Sequence, residues 1–216
     1  MIALIDYGAG NLTSVRKALT HIGTPYVVPS APDALDACSG VIVPGVGHFE
    51  TTATLAGAWT AAIEASVQRD VPLLGICVGL QWLFAGSEEA PTLPGLGVMS
   101  GCCALIPGAH TAEDSAPTAA LKVPHVGWNS LDVKKESWIL DGVRDGDQVY
   151  FTHSFAAPVT ADCVASTTYG VEFASVVERD HIAGVQFHPE KSGEVGLGIL
   201  RNFLRRTGDA SNLPAQ

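Results

Sequence analysis

The segment with the clearest chemical content runs Leu73-Leu74-Gly75-Ile76-Cys77-Val78-Gly79-Leu80-Gln81. An apolar run, then Gly-x-Cys-x-Gly, then a helical pattern is the thiol form of a nucleophile elbow. In such an elbow a tight strand-to-helix turn holds the nucleophile in a strained backbone conformation. Glycines two positions before and after it, here Gly75 and Gly79, remove side chains that would collide. The sulfur of Cys77 would then sit at a helix N-terminus, where the dipole and free N–H groups favour thiolate. The N–H of Val78 would serve as one oxyanion donor. A small buried core cysteine is the bland alternative, and it accounts for Cys77 about equally well.

A thiol nucleophile needs a base, and the base needs an orienting acceptor. Val185-Gln186-Phe187-His188-Pro189-Glu190 offers both. In extended chain, residues two apart share a side, so His188 and Glu190 would lie together, with Pro189 stiffening the step between them. Glu190 would hold one ring nitrogen of His188 and leave the other for Cys77. Taken alone, His-Pro-Glu reads as a surface turn; joined to the elbow, a Cys77-His188-Glu190 triad is the better reading. A second oxyanion donor must come from another loop at the same sheet edge. Pro44-Gly45-Val46-Gly47 follows an apolar strand, and Gly45 and Gly47 let a backbone N–H beside Val46 turn toward a substrate. An ordinary strand–helix turn explains the same glycines equally well.

Other groups carry less weight. His48, His125 and His153 are scattered and lack metal-ligand spacing, so no metal or cofactor is expected. Gly8, Gly10 and Asn11 form only a fragment of a phosphate loop and read as a turn and helix cap. Trp128 reads as core ahead of an anchor for a partner. Cys38, Cys102, Cys103 and Cys163 read as buried and inert.

These residues need a scaffold, and the first half of the chain supplies an alternation of strands and helices. Residues 2–5 form a compact apolar run. Leu12, Val15, Leu19 and Ile22 then recur at helical spacing, closed by Gly23. Residues 25–28, 41–43 and 73–76 read as further strands, 51–68 as an Ala-rich helix, and 80–84 as the start of a helix directly after the nucleophile. Fully apolar strands in this alternation predict a mostly parallel sheet covered on both faces. The polar stretch 109–119 reads as a mobile loop. Beyond it, runs at 128–133, 148–152, 163–168, 173–177 and 182–187 read as antiparallel or mixed strands. A last helix over 194–206 puts Val195, Ile199, Phe203 and Leu204 on one side. With no repeat and no long linker, residues 1–207 read as one three-layer α/β domain and 208–216 as a polar tail.

Composition narrows the class further. The 216 residues hold 12 Lys and Arg against 22 Asp and Glu, a formal net charge of −10. With no basic run, this charge disfavours nucleic acid and anionic membranes as partners. A hydrophobic fraction of 47% with 16% charged residues excludes a disordered chain. No apolar stretch approaches the roughly 18 residues of a membrane span. The first residues lack a basic region and read as a strand, not a signal peptide. Five cysteines, an odd count with no CxxC, suit free thiols in a reducing cytoplasm.

Together these motifs resemble the class I glutamine amidotransferases, which carry a Cys-His-Glu triad with a G-x-C-x-G elbow and a late H-P-E. The similarity extends to the glutaminase subunits of imidazole glycerol phosphate synthase. Asp6-Tyr7-Gly8-Ala9-Gly10-Asn11 is similar to their D-Y-G-x-G-N, and Pro44-Gly45-Val46-Gly47-His48-Phe49 to their oxyanion segment. Gly75 to Gln81 resembles G-I-C-L-G-M-Q, residues 123–129 resemble V-P-H-M-G-W-N, residues 150–155 resemble Y-F-V-H-S-Y, and residues 186–192 match Q-F-H-P-E-K-S. The departures are apolar swaps at Val78, Leu80 and Val126.

The resemblance implies a glutaminase that forms a γ-glutamyl thioester on Cys77 and passes ammonia to a cyclase subunit with a (β/α)₈ barrel, in histidine biosynthesis. It implies that Gln81 contacts the bound glutamine. It also implies that Asn11, Pro124, His125, Val126, Trp128 and Lys191 lie at the cyclase interface or along the ammonia path. Val126 replaces a larger Met in that path. Another class I amidotransferase, a γ-glutamyl hydrolase acting alone, and a non-catalytic module on the same fold are the competing readings.

Overall fold

The computed structural model describes residues 1–107 and 121–208, so the stretch 109–119 and the tail 209–216 lie outside the described residues. Strands β1 (Ile2–Leu4), β2 (Tyr26–Val27), β3 (Gly40–Gly45) and β4 (Leu73–Cys77) come from the first half. The remainder are β5 (Ala104–Leu105), β6 (His125–Ser130), β7 (Asp132–Val133), β8 (Gln148–His153), β9 (Phe155–Ala156), β10 (Cys163–Tyr169), β11 (Val171–Arg179) and β12 (Ile182–Val185). Eight of them build one sheet in the order β2-β1-β3-β4-β12-β11-β10-β7. From β2 to β12 every neighbour is parallel, and from β12 to β7 every neighbour is antiparallel. This is the mostly parallel α/β sheet with added antiparallel strands that the sequence predicts. β1, β3, β4 and β12 are buried along their whole length, as strands covered on both faces must be.

Among the described residues four α-helices surround the sheet: α1 (Leu12–Ile22), α2 (Ala58–Gln68), α3 (Val78–Leu83) and α4 (Gly193–Arg206). α1 buries Val15, Ala18, Leu19 and Ile22 and ends at Gly23, whose φ of 84° is the left-handed cap that glycine tolerates. The single helix expected over 51–68 is two pieces. A 3-10 helix spans Phe49–Leu55, and α2 begins only after Gly57, which has φ 75°. Thr51, Thr52 and Thr54 each donate a hydroxyl hydrogen bond to the carbonyl three residues back. Such bonds favour the tighter turn over an α-helix.

The strand expected over 128–133 is also two. β6 pairs with β8 in a separate two-stranded ribbon, whereas β7 joins the main sheet beside β10. Buried Leu131 marks the change of sheet. Trp128 is not core. It is 56% exposed on the outer side of β6, next to the equally exposed Val126, because alternation turns His125 inward and its neighbours outward. Cys102 is exposed, against expectation, whereas Cys38, Cys103 and Cys163 are buried; no disulfide joins any of the five cysteines among the described residues.

The sheet order decides the chemistry. β3 and β12 flank β4 in parallel register, with Gly45 opposite Cys77 and Val185 opposite Ile76. The loops after these three adjacent strands therefore leave the same edge together.

Candidate active site

Cys77 sits where β4 turns into α3, with φ 54° and ψ −106°. A side chain occupies that region only under strain. The flanking glycines permit the turn: a Cβ on Gly79 would collide with the Val43 carbonyl, and one on Gly75 with the backbone of Gly79 and Leu80. Val78 is the first residue of α3, so its N–H has no acceptor within the helix. Cys77 is buried. Gln186 Nε2 donates toward its Sγ at 3.7 Å, and the thiol lies 3.9 Å from the Thr152 carbonyl oxygen.

His188 follows β12. Its N–H donates to the Tyr150 carbonyl at 2.9 Å, and its own carbonyl accepts from Ser192 Oγ at 2.7 Å. Glu190 meets it, but through one turn of 3-10 helix, Pro189–Lys191, and not through the extended chain that the sequence suggested. His188 Nδ1 and Glu190 Oε1 are 2.8 Å apart, and both side chains are fully buried. A carboxylate only accepts, so Nδ1 carries the proton and Nε2 is left as the basic nitrogen. Nε2 is buried with no hydrogen-bond partner among the described residues. Burial works to lower the His188 pKa, but the nearby Cys77 and the bond and charge of Glu190 outweigh it and push it up to about 9.

Asn11 stands at the start of α1 with φ 61°, yet its side chain does not cap that helix. It turns toward the buried pair, and its Nδ2 donates to Glu190 Oε1. Nδ2 is also 3.2 Å from His188 Nδ1, but two donors do not bond each other.

The Gly45-Val46-Gly47 loop lies beside the thiol. The N–H of Val46 is taken: it donates to the Ala9 carbonyl at 2.8 Å. Gly47 has φ 106°. Tyr7 sets its hydroxyl where a Cβ on Gly45 would fall, and that hydroxyl has no partner among the described residues. Burial, and then the charge of Cys77, raise the Tyr7 pKa and keep it protonated.

A cavity of about 340 Å³ opens over Cys77. Val46, Gly47, Val78, Gln81, Glu89 and His153 are among its lining residues. Gln81 Nε2 donates to the Phe155 carbonyl at 2.9 Å and to Gln186 Oε1 at 3.3 Å, so its own amide oxygen is the end left for a ligand. Glu89 is the one carboxylate in the lining, held by the Phe49 N–H at 2.7 Å. A larger cleft of about 850 Å³ lies elsewhere, against Trp138 and Arg205; none of its lining residues is a cysteine or histidine.

Of the remaining expected residues, Pro124 lines the cavity and His125 is buried behind it. Val126, Trp128 and Lys191 are exposed, and Lys191 Nζ lies 5.9 Å from the Tyr150 ring centre, which meets the Trp128 ring edge to face. Sequence reading missed Glu89, Gln186 and Ala9. The period-two argument that pairs His188 with a neighbour also reaches Gln186, two residues before it. Glu89 and Ala9 left no local signal.

The sheet order and the elbow are those of a glutamine amidotransferase. The class I glutamine amidotransferase family model matches residues 3–207. The chain is 45% identical over 208 residues to the imidazole glycerol phosphate synthase subunit HisH of Geobacillus thermodenitrificans, covering 94% of this chain and 95% of the relative. It is 43% identical over 218 residues to the HisH subunit of Moorella thermoacetica, covering 98% and 99%. Among solved structures, a glutamine amidotransferase superposes with a TM-score of 0.69 at 17% identity, over 96% of this chain and 100% of that one. PurLQS from Thermotoga maritima superposes with a TM-score of 0.70 at 17% identity, over 94% and 97%. At that identity the superpositions speak for the fold. The chain belongs to the class I glutamine amidotransferases and, within them, to the family of HisH subunits of imidazole glycerol phosphate synthase.

Proposed function

We propose that the chain is the glutaminase subunit of imidazole glycerol phosphate synthase in histidine biosynthesis, hydrolysing L-glutamine to glutamate and ammonia. The observation that carries the reading is the meeting of a positive-φ cysteine, a buried His188–Glu190 pair at 2.8 Å and a cavity above the thiol. Cys77 gives its proton to His188 Nε2, where the raised pKa of that ring holds it, and the sulfur then attacks the carboxamide carbon. His188 then gives that proton to the departing ammonia, which leaves a γ-glutamyl thioester. Water, deprotonated by the same nitrogen, attacks the thioester, releases glutamate and restores the thiol. Glu190 keeps Nδ1–H in place throughout. The Val78 N–H is one oxyanion donor, and the Gly45–Gly47 loop supplies the second once a peptide there turns. Gln81 and Glu89 take the two ends of the substrate, the carboxylate of Glu89 suiting its ammonium group.

The ammonia goes to a cyclase subunit, a (β/α)₈ barrel, in a heterodimer. Exposed Val126 and Trp128, with Tyr150 and Lys191 beside them, support a docking face there, since an exposed aromatic flanked by a cation is a common interface anchor. Residues 1–207 are read as one amidotransferase domain. No helix among the described residues is long and apolar enough to cross a membrane, and cysteines that form no disulfide among the described residues support a cytoplasmic location. The test is glutamate release from glutamine by the chain mixed with its cyclase. Turnover that disappears in Cys77→Ala supports the reading; no turnover in the wild-type complex overturns it.

A further inference from the structure

His125 and His153 face each other across the β6–β8 ribbon, as directly opposed residues. Both are buried, 2% and 6% exposed. His125 Nδ1 and His153 Nε2 are 3.1 Å apart. The surroundings fix every proton in this contact. His153 Nδ1 lies 2.9 Å from the Phe155 carbonyl oxygen, which only accepts, so Nδ1 carries hydrogen and Nε2 is an acceptor. His125 must then present Nδ1–H to it, and its own Nε2 accepts. Asn129 Nδ2 lies 3.4 Å from that nitrogen and 3.2 Å from the Thr168 carbonyl oxygen. Asn129 Oδ1 accepts the Ser130 N–H at 2.9 Å, so the amide cannot turn round.

The line does not stop at Phe155. The same carbonyl accepts from Gln81, Gln81 donates to Gln186, and Gln186 donates toward Cys77. An unbroken series of hydrogen bonds therefore runs from Asn129 to the thiol. Asn129 shares β6 with exposed Val126 and Trp128. Burial lowers both histidine pKa values, His125 to about 4 and His153 to about 3. Rings of Phe151, Phe173 and Tyr169 pack against His125, and those of Phe151 and Phe173 against His153.

We infer that His125 and His153 are positioning residues: a pair locked in single tautomers that holds the Phe155 carbonyl, and through it Gln81, in the geometry glutamine requires, and ties the β6 docking strand to the pocket. This deepens the glutaminase reading and rests on it. His125 is the informative position, because it does not line the cavity and acts on glutamine only through His153.

The experiment compares His125→Phe with His125→Asn in the complex with the cyclase. Phenylalanine keeps the ring and removes the donor. Asparagine keeps an N–H close to the place of Nδ1. The account predicts that His125→Phe raises KM for glutamine about three- to tenfold, the worth of one hydrogen bond, with kcat changed less. It predicts that His125→Asn recovers most of the loss. An unchanged KM in a folded His125→Phe, or no recovery in His125→Asn, overturns the inference. Nitrogen-15 NMR of the wild-type histidines, which needs no activity, is the second arm. Both rings neutral with hydrogen on Nδ1 at pH 7 is the predicted result; hydrogen on Nε2 of either ring, or a charged ring, overturns it. A wild-type complex that releases no glutamate sinks the glutaminase reading, and the relay then stands or falls on the NMR result.

Discussion

The N–H of Val46 is bonded to the Ala9 carbonyl at 2.8 Å and so faces away from Cys77. In this state the Val46 N–H is not available as the second oxyanion donor proposed for this loop. For that proposed role the Gly45–Val46 peptide has to turn, and the missing Cβ of Gly45 on one side of it lowers the steric cost. Losing one such donor typically costs about 10²–10³ in turnover. The isolated chain is therefore expected to be a weak glutaminase, stimulated about 10²-fold or more by the cyclase with its ligand bound. Steady-state glutamate release from the two samples checks this. Gly47→Pro, which fixes φ where the structure has +106°, should leave binding to the cyclase intact and blunt the stimulation.

Removing the base should cost more than removing its holder. His188→Ala deprives Cys77 of the buried, unpartnered nitrogen proposed to take its proton, and a drop of about 10³-fold or more in kcat is expected. Glu190→Gln leaves a hydrogen bond to Nδ1 through the amide oxygen, so the loss is smaller. Single-turnover rates for the two variants give the ranking. Full activity in His188→Ala would remove the triad from the account.

The histidines also set how stability depends on pH. His125 and His153 have folded pKa values lowered to about 4 and about 3 by burial, below the ordinary value near 6.5. The unfolded chain binds protons there before the folded chain does. Their stabilising contribution is therefore present above about pH 6.5 and is lost as pH falls toward 4 and 3. His188 behaves in the opposite sense. Its folded pKa is raised to about 9, so its contribution is complete below about 6.5 and fades as pH rises through 9. Tm should fall on both sides of neutrality. The alkaline fall should flatten in His188→Ala, which a Tm–pH profile of that variant checks.

Gly79→Ala should damage the fold itself. The added Cβ would collide with the backbone carbonyl of Val43, which cannot move without shifting β3. Overpacking of this kind costs about 1–3 kcal/mol or more, here at the elbow. A clear fall in Tm together with loss of glutaminase is expected. Gly198→Ala on α4, where a Cβ meets nothing within 4 Å, is the control.

The elbow was legible in the sequence because local rules fix it, an apolar strand and two obligatory glycines; the nearness of Glu190 to His188 was expected too, but from extended chain and not from the 3-10 turn that brings them together. The split of residues 51–68 was not, since three threonine hydroxyls and the conformation of Gly57 override an alanine-rich helical pattern. Trp128 misled for a related reason. Its size argues for burial, and only the pairing of β6 with β8 in a ribbon outside the main sheet turns it outward. The role of Asn11 was invisible as well, because Glu190 lies 179 positions away along the chain. Contacts of that span depend on sheet order, which strand patterns leave open.

The most direct test of the account compares two nitrogen donors. In the complex with the cyclase, imidazole glycerol phosphate synthesis is measured with glutamine and then with ammonium salt, for the wild type and for Cys77→Ala. In the proposed function the thiol acts only to release ammonia, and the second reaction belongs to the partner. The account predicts that Cys77→Ala loses synthesis from glutamine and keeps synthesis from ammonia at the wild-type rate. Equal loss with both donors, or undiminished synthesis from glutamine, would contradict it.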